Sequence, residues 1–368
     1  MDVRTSSLQK YIDTFGDARL IEAIEKAKSI QSPGSVVQVT NPVMRFLMNT
    51  TYIKNNKIYA HKNAGVPPED YSYFKMVSAI LNDLKDEIGA NDSYKIQLAE
   101  KLLHPQSGPM LSSMNEILVA AYYKHIGIKV ALNSSAEEGV ADIDLTELQF
   151  ATDTKTFPNN RLLFEAIVND SAEEIVGAVQ RVRNQGLLVS VFEPNKKKVK
   201  KSLNEVAKAF NDTNIGHFSD SVLAADIMVN DYPGADFHIR VQPQNVNVFF
   251  QASWDMAPAI EALKESAEKA VKQAGALSKQ AIPWIMVPRD AGRNGIEVNM
   301  LRFVGEFHDF VFKHKDIFAM PVYSLEFEGE RVVSIFDIFE TGRNTFGINN
   351  DTFQDFLKSI LSRPEIYV

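Results

Sequence analysis

Residues 110–127 read MLSSMNEILVAAYYKHIG, and residues 141–157 read ADIDLTELQFATDTKTF. The first stretch has apolar residues at helical spacing, with Gly108-Pro109 before it and Gly127 at its end. Proline near the start and glycine past the end are typical of a helix, which we expect from Met110 to His125. This helix carries one acidic residue, Glu116.

The residues that follow alternate in polarity and are rich in β-branched types, with polar or glycine-containing stretches between them. This pattern predicts three strands, at 128–132, 141–146 and 149–157. A turn centred on Glu147 and Leu148 places Asp142 opposite Asp153. Side chains alternate along a strand, so Asp153 shares a face with Lys155, and Asp142 shares one with Asp144. We therefore expect the carboxylates to converge, with Asp144 competing with Asp142 for the same role.

Converging carboxylates beside one lysine suit the hydrolysis of phosphodiesters. Two or three carboxylates hold a hard cation such as Mg²⁺, which prefers oxygen ligands and keeps several waters. A lysine can orient the attacking water, while the metal stabilises the charge that develops on the phosphoryl oxygens.

A second helix is predicted after this stretch, because Ser171-Ala-Glu-Glu174 has the form of a capping box and Gly186 ends the run. A buried strand is predicted at 187–192. The predicted order of elements is helix, three strands, helix and strand, and it carries the motif Ala141-Asp142 followed by Asp153-Thr154-Lys155. Over roughly residues 105 to 195, this arrangement resembles the PD-(D/E)xK nuclease superfamily. Ala141 stands where that family has proline.

The resemblance implies an α/β (α+β) fold with a restriction-endonuclease-like core, in which a mixed central sheet is flanked by helices. It implies that Asp142 and Asp153 bind Mg²⁺ or Mn²⁺ and that Lys155 positions the water. Glu116 would be an accessory carboxylate, and Gln180 a polar residue near the site. DNA is favoured over RNA as the nucleic-acid partner, and a homodimer would suit the cutting of both strands.

Each of these residues also has a structural interpretation. Glu116 could belong to a capping box with Ser113 if the helix began later. Asp142 and Asp144 could face solvent on an alternating strand. Lys155 and Asp153 could form an exposed ion pair of little energetic weight.

The formal net charge of −8 confines any phosphate-binding surface to a local patch. Basic residues crowd the segment after the 187–192 strand and the helix before it. The candidates are Lys196, Lys197, Lys198, Lys200, Lys201, Arg181 and Arg183. They could neutralise backbone phosphates, although a solvated helix start has the same composition.

The chain of 368 residues is long enough for several structural units. We expect a mainly helical accessory region at 1–105, the nuclease-like core at 106–212 and a C-terminal α/β unit at 213–368. A strand, a long helix and a strand in the last unit echo the core, with Gln251-Ala252-Ser253 in the place of the motif. The last unit could therefore be a degenerate copy of the core.

The chain has no cysteine, which excludes disulfides, thiolate metal sites and cysteine nucleophiles. It lacks a signal-peptide pattern and a long apolar run, so a cytoplasmic location without membrane insertion is expected. Two other function classes stay open. One is a non-catalytic nuclease-like scaffold in a defence or DNA-processing complex, and the other is a glycosyltransferase that uses Asp142-Ile143-Asp144 as a DxD element.

Overall fold

The computed structural model is mixed α/β and describes most of the chain. The described residues are 3–31, 36–61, 65–134, 139–156, 160–180, 182, 186–193, 195–212, 216–228, 235–242, 245–253, 257–287, 307–328, 331–340 and 348–361.

Helices and strands alternate unevenly along these residues. The helices are α1 (Val3–Phe15), α2 (Asp17–Ile30), α3 (Pro42–Thr50), α4 (Pro68–Asp83), α5 (Lys85–Gly89), α6 (Asp92–Leu102), α7 (Ser107–His125), α8 (Asn160–Asp170), α9 (Ala172–Val179), α10 (Lys196–Asp212), α11 (Ala257–Ala276) and α12 (Asn350–Leu361). The strands are β1 (Thr51–Lys54), β2 (Lys57–Ala60), β3 (Val130–Leu132), β4 (Ile143–Leu145), β5 (Phe150–Thr152), β6 (Thr154–Thr156), β7 (Gly186–Val191), β8 (His217–Ser219), β9 (Leu223–Met228), β10 (Phe237–Val241), β11 (Val246–Ala252), β12 (Gln280–Ala281), β13 (Trp284–Met286), β14 (Ala319–Glu328) and β15 (Arg331–Glu340).

The central sheet is mixed and is built from strands far apart in sequence. β3, β4 and β5 pair antiparallel, β12 then runs parallel to β5, and β13 runs parallel to both β6 and β14. Only Asp153 separates β5 from β6, and backbone bonds from Ile282 N to Ala151 O and from Trp284 N to Asp153 O bridge this point. The two ladders therefore join into one sheet, in the order β3, β4, β5 with β6, β12 with β13, β14 and β15.

The predicted register of the motif strands is confirmed. Ile143 faces Thr152 and Leu145 faces Phe150, so the chain just before β4 brings Asp142 opposite Asp153. The ladder between the two strands stops here, and β6 pairs instead with β13 on its other side. Because the strands part at this point, the side chains of Asp142 and Asp153 stand at the opening between them.

The last strand of the predicted core does not join the sheet that contains β5 and β6. The predicted strand at 187–192 exists as β7, but it lies in a separate five-stranded sheet of order β10, β11, β7, β9 and β8. The place beside β5 and β6 belongs to β12 and β13. The chain reaches them through α11, which packs Ala274 against Ala141, Ala151 and Ala281.

The strand pairing also differs from what a degenerate copy of the core in the C-terminal unit would require. The strand β13, which follows α11, belongs to the same sheet as β6, whereas β10 and β11 belong to the second sheet. Both sheets therefore combine strands from before and after residue 212, and the long helix α11 serves the first sheet itself.

The largest apolar core lies between the N-terminal helices, α7 and the first sheet, with Tyr122, Tyr123 and Trp284 fully buried. A second core joins α8, α9 and α10 to the five-stranded sheet. Among the described helices, none combines the length and the apolar character needed to cross a bilayer.

Candidate active site

Glu116 lies in the interior of α7, not at its start. The helix begins at Ser107, nine residues earlier, with Pro109 in its first turn, where proline is tolerated. The carboxylate residue is only 6% exposed, and its Oε1 has no hydrogen-bond partner among the described residues. The capping-box interpretation with Ser113 is therefore wrong.

Asp153 is buried and forms an ion pair with Lys155. Lys155 Nζ lies 2.7 Å from Asp153 Oδ2, and Asp153 is 1% exposed. Oδ1 of Asp153 has no hydrogen-bond partner among the described residues. The interpretation of this pair as an exposed surface contact is wrong, because water is excluded from the carboxylate.

Asp142 closes the gap where the strands part. Its Oδ2 accepts a hydrogen bond of 3.2 Å from the backbone N–H of Thr154, a donor that has lost its strand partner on this side. The carboxylate thus accepts the hydrogen bond that a backbone carbonyl of a neighbouring strand would otherwise accept. This contact fixes Asp142 beside the Asp153–Lys155 segment.

Asp144 has a different partner. The ammonium of Lys279, just after α11, donates to Asp144 Oδ1 and, at 2.9 Å, to the carbonyl of Leu145. Asp144 thus forms an ion pair with Lys279, whereas Asp142 lies beside the Asp153–Lys155 segment.

The electrostatics of the site reflect burial and mutual repulsion. Burial raises the pKa of Glu116 to about 7, with the Asp153 charge acting in the same direction and the Tyr94 hydroxyl, Lys101 and Lys155 opposing it. Burial also raises the pKa of Asp142 well above its ordinary value. A proton that Asp142 can share with Asp153 and the negative charges of Glu116 and Asp153 raise this pKa further. Glu116 and Asp142 therefore interact with each other and with Asp153, and their raised pKa values favour their protonated forms.

Within the described residues, no group of three or more His, Cys, Asp or Glu side chains is arranged so that it could hold a metal ion. Glu116, Asp142 and Asp153 are thus not a preformed three-carboxylate cage. The donor set of Asp142 and Asp153 nevertheless fits Mg²⁺, which is bound in many sites by one or two carboxylates together with water. The unpartnered Oδ1 of Asp153 is an oxygen donor of the right type.

Several residues that shape the site carry no sequence signal. Tyr94 on α6 is buried and contributes to the pKa of Glu116. Asn115 on α7 donates from Nδ2 to the carbonyl of Lys155 at 3.0 Å and accepts a bond from the Tyr323 hydroxyl on β14. Asn115 thereby ties the helix to the strand of Lys155. Nothing in the spacing of Tyr94 or Asn115 distinguishes them from ordinary core residues.

Gln180 is exposed at the end of α9, a helix of the second core. The glutamine that lies near Asp142 is instead Gln273 on α11, whose Nε2 donates to Val140 O at 3.3 Å and whose Oε1 is buried without a partner. The helix predicted after Ser171 exists as α9, but it packs in the second core, whereas α11 is the helix that packs on β5.

The lysine patch lies on α10, which packs on the five-stranded sheet. Lys196, Lys198 and Lys200 form ion pairs with Asp170, Glu193 and Glu174 at 3.6, 2.8 and 3.5 Å. Lys197 and Lys201 are exposed and have no ion pair within the described residues. Arg181 and Arg183 lie outside the described residues.

No family model matches the chain, and comparisons with curated proteins and with solved structures find no similar protein.

Proposed function

We propose that this chain is a metal-dependent nuclease that hydrolyses phosphodiester bonds, with Asp142, Asp153, Lys155 and Glu116 at its centre. The observation that carries the proposal is the opening between β4 and β6. It places Asp142 opposite Asp153, pairs Asp153 with Lys155 at 2.7 Å and leaves a buried carboxylate oxygen without a partner.

The arrangement of the sheet supports a restriction-endonuclease-like core. Two antiparallel strands, β3 and β4, lead to the motif strand of β5 and β6, and α11 later leads to β12 and β13, which run parallel to it. In this proposal the core is discontinuous. It combines α7 and β3 to β6 with α11 and β12 to β15, and the five-stranded sheet is an insertion between the two parts.

The proposal gives each residue of the site a role. Asp142 and Asp153 would hold Mg²⁺ or Mn²⁺, which when bound supplies Lewis-acid stabilisation of the phosphoryl oxygens. Lys155 is held by Asp153 so that its ammonium can orient the attacking water and stabilise the developing negative charge. Glu116, with a pKa of about 7, can accept or return a proton near neutral pH.

A cleavage assay with matched variants tests the proposal. The chain and its Asp153→Asn and Asp355→Asn variants are incubated with circular, linear and single-stranded DNA and with RNA, in Mg²⁺, Mn²⁺ or EDTA. Asp355 is an exposed residue of α12 paired with Lys358, so its variant has the same change of charge away from the site. We expect metal-dependent cleavage by the chain and by Asp355→Asn, and none by Asp153→Asn.

Cleavage retained by Asp153→Asn would contradict the assignment of the site. Absence of cleavage of every substrate with both metals would favour the non-catalytic scaffold. The glycosyltransferase alternative gains no support from the geometry, because Lys279 occupies the second carboxylate of Asp142-Ile143-Asp144.

A further inference from the structure

A two-stranded hairpin projects from the N-terminal helices. β1 and β2 pair in register, with Tyr52 facing Tyr59 and Lys54 facing Lys57. Asn55 and Asn56 form the turn and both have positive φ, at 51° and 56°. Asparagine tolerates this conformation, and such two-residue turns match the twist of the strands. The hairpin is therefore a well-defined element with two distinct faces.

The inner face holds the hairpin against the helices. Ile58 is buried, and its backbone N–H donates to Asp17 Oδ1 at 2.9 Å. Because side chains alternate, the neighbouring positions point the other way. The outer face consequently displays Tyr52, Lys54, Lys57, Tyr59 and His61, all of them exposed.

The outer face contains an aromatic platform. The rings of Tyr52 and Tyr59 are each 40% exposed and stack with centroids 5.4 Å apart and planes 22° apart. The His61 ring lies 4.9 Å from that of Tyr52. A groove of about 490 Å³ runs between this hairpin and α1, with Tyr52, Lys57 and Tyr59 among its lining residues. Three rings beside a groove give room for flat groups to stack.

Two lysines stand at the tip of the same face. Lys54 and Lys57 are directly opposite each other and form no ion pair within the described residues. Like charges facing each other across a hairpin destabilise it. A partner with negative charge would relieve this repulsion.

We infer that the outer face of this hairpin binds single-stranded nucleic acid, with bases stacking on Tyr52, Tyr59 and His61 and backbone phosphates meeting Lys54 and Lys57. Aromatic stacking combined with positive charge is how proteins hold unpaired strands without reading their sequence. Bases in a duplex are stacked on each other and cannot reach such a platform. That a single strand is the substrate rests on the proposed nuclease function, whereas the binding itself requires no cleavage.

Binding is measured in EDTA, so that cleavage cannot interfere. Fluorescence anisotropy of labelled 20-mers of thymidine and of uridine is followed over a range of salt concentrations, with a duplex 20-mer for comparison. The variants are Lys54→Gln with Lys57→Gln, and Tyr59→Val, which keeps a strand-forming residue. The control, Lys85→Gln with Lys358→Gln, removes two exposed lysines elsewhere.

We expect the chain to bind both single strands more tightly than the duplex. The double-lysine variant should lower the slope of log affinity against log salt by about 1.4, since each phosphate contact on a single strand contributes about 0.7. Tyr59→Val should weaken binding roughly tenfold, in line with the loss of one stacked base. The control should bind like the unmodified chain.

Absence of binding to either single strand would overturn the inference, as would hairpin variants that match the control. The double-lysine variant leaves every apolar contact intact, so its result does not depend on whether Tyr59→Val folds normally. Strand binding without any cleavage would remove the nuclease proposal and keep this one. Cleavage by the unmodified chain, together with normal strand binding by the hairpin variants, would keep the nuclease proposal and remove this one.

Discussion

Lys155 Nζ lies 2.7 Å from Asp153 Oδ2, and the side chain of the aspartate is 1% exposed whereas that of the lysine is 28% exposed. The charge that water cannot reach is therefore the carboxylate, and the lysine is its counter-ion. Removing the lysine would leave a buried charge without compensation, which costs far more than losing a surface ion pair. The pair thus links the stability of the site to its chemistry.

The first prediction concerns this pair. Lys155→Met keeps most of the side-chain volume and should lower the free energy of unfolding by about 2–3 kcal/mol, because Asp153 is left without its cation. Adding Asp153→Asn should restore most of that loss. Urea unfolding of both single variants and the double variant forms a double-mutant cycle. Additive effects of the two changes would contradict the ion pair as the source of the cost.

The pH dependence of stability provides a second prediction. The pKa of Glu116 rises from 4.5 to about 7 on folding because of burial, so between these values the folded state holds a proton that the unfolded state has released. Stability from this group is present below pH 4.5 and is lost as the pH rises toward 7. At pH 8 the lost contribution is roughly 3 kcal/mol.

Glu116→Gln removes this titration. We expect the variant to be more stable than the unmodified chain at pH 8 and to have a flatter stability profile between pH 4.5 and 7. Denaturant unfolding at several pH values measures both. Parallel profiles for the two proteins would show that Glu116 is solvated in solution.

A third prediction concerns the metal without reference to activity. A cation bound by Asp142 and Asp153 requires both carboxylates to be ionised, and the raised pKa of Asp142 makes this easier as the pH rises. Mg²⁺ or Mn²⁺ should therefore raise the melting temperature more at pH 8 than at pH 6. Asp142→Asn should abolish the shift and Asp355→Asn should keep it. Equal shifts in the two variants would place the metal elsewhere.

The helix α7 and the register of the motif strands could be predicted from the sequence for local reasons. The helix has continuous apolar periodicity, and a short connection between β4 and β5 limits the ways in which they can pair. The placement of Asp142 opposite Asp153 follows from that register alone. Local pattern was sufficient because every contact involved spans few residues.

The neighbour of the motif strand could not be predicted in the same way. Residues 187–192 and 282–287 are both short apolar runs, and hydrophobic pattern does not say which strand a run pairs with. The pairing of Trp284 with Thr154 joins positions 130 residues apart. Likewise, Tyr94, which interacts with Glu116, comes from a region without any motif. The prediction that Gln180 lies near the site failed for the same reason, because it assumed that α9 packs beside the motif strand.

The fourth prediction separates the lysines of α10 by their partners. Lys197 and Lys201 have no ion pair in the described part of the chain, whereas Lys198 and Lys200 face Glu193 and Glu174. We propose that the unpaired lysines contact phosphates, so replacing both by Gln should lower the salt slope of single-strand binding by about 1.4. Replacing Lys198 and Lys200 should have a smaller effect, because acidic neighbours already offset their charge.

The measurement is again anisotropy over a range of salt concentrations. Lys197 lies in the first turn of α10, where positive charge opposes the helix dipole, so its loss should leave the melting temperature unchanged or slightly raised. A reduced salt slope without a loss of stability would therefore report binding. An unchanged slope in the Lys197 and Lys201 variant would exclude this helix as a nucleic-acid contact.

The last prediction distinguishes Asp142, just before β4, from Asp144 within β4. Asp142 accepts from Thr154 N and lies beside Asp153, whereas Asp144 is held by Lys279. Asp142→Asn should abolish metal-dependent cleavage, while Asp144→Asn should leave it within a few fold of the unmodified chain. Asparagine preserves the size of both side chains and can still accept a hydrogen bond, so the variants differ mainly in charge. Loss of cleavage in Asp144→Asn with normal cleavage in Asp142→Asn would reverse the assignment and would make Lys279, rather than Lys155, the lysine of the site.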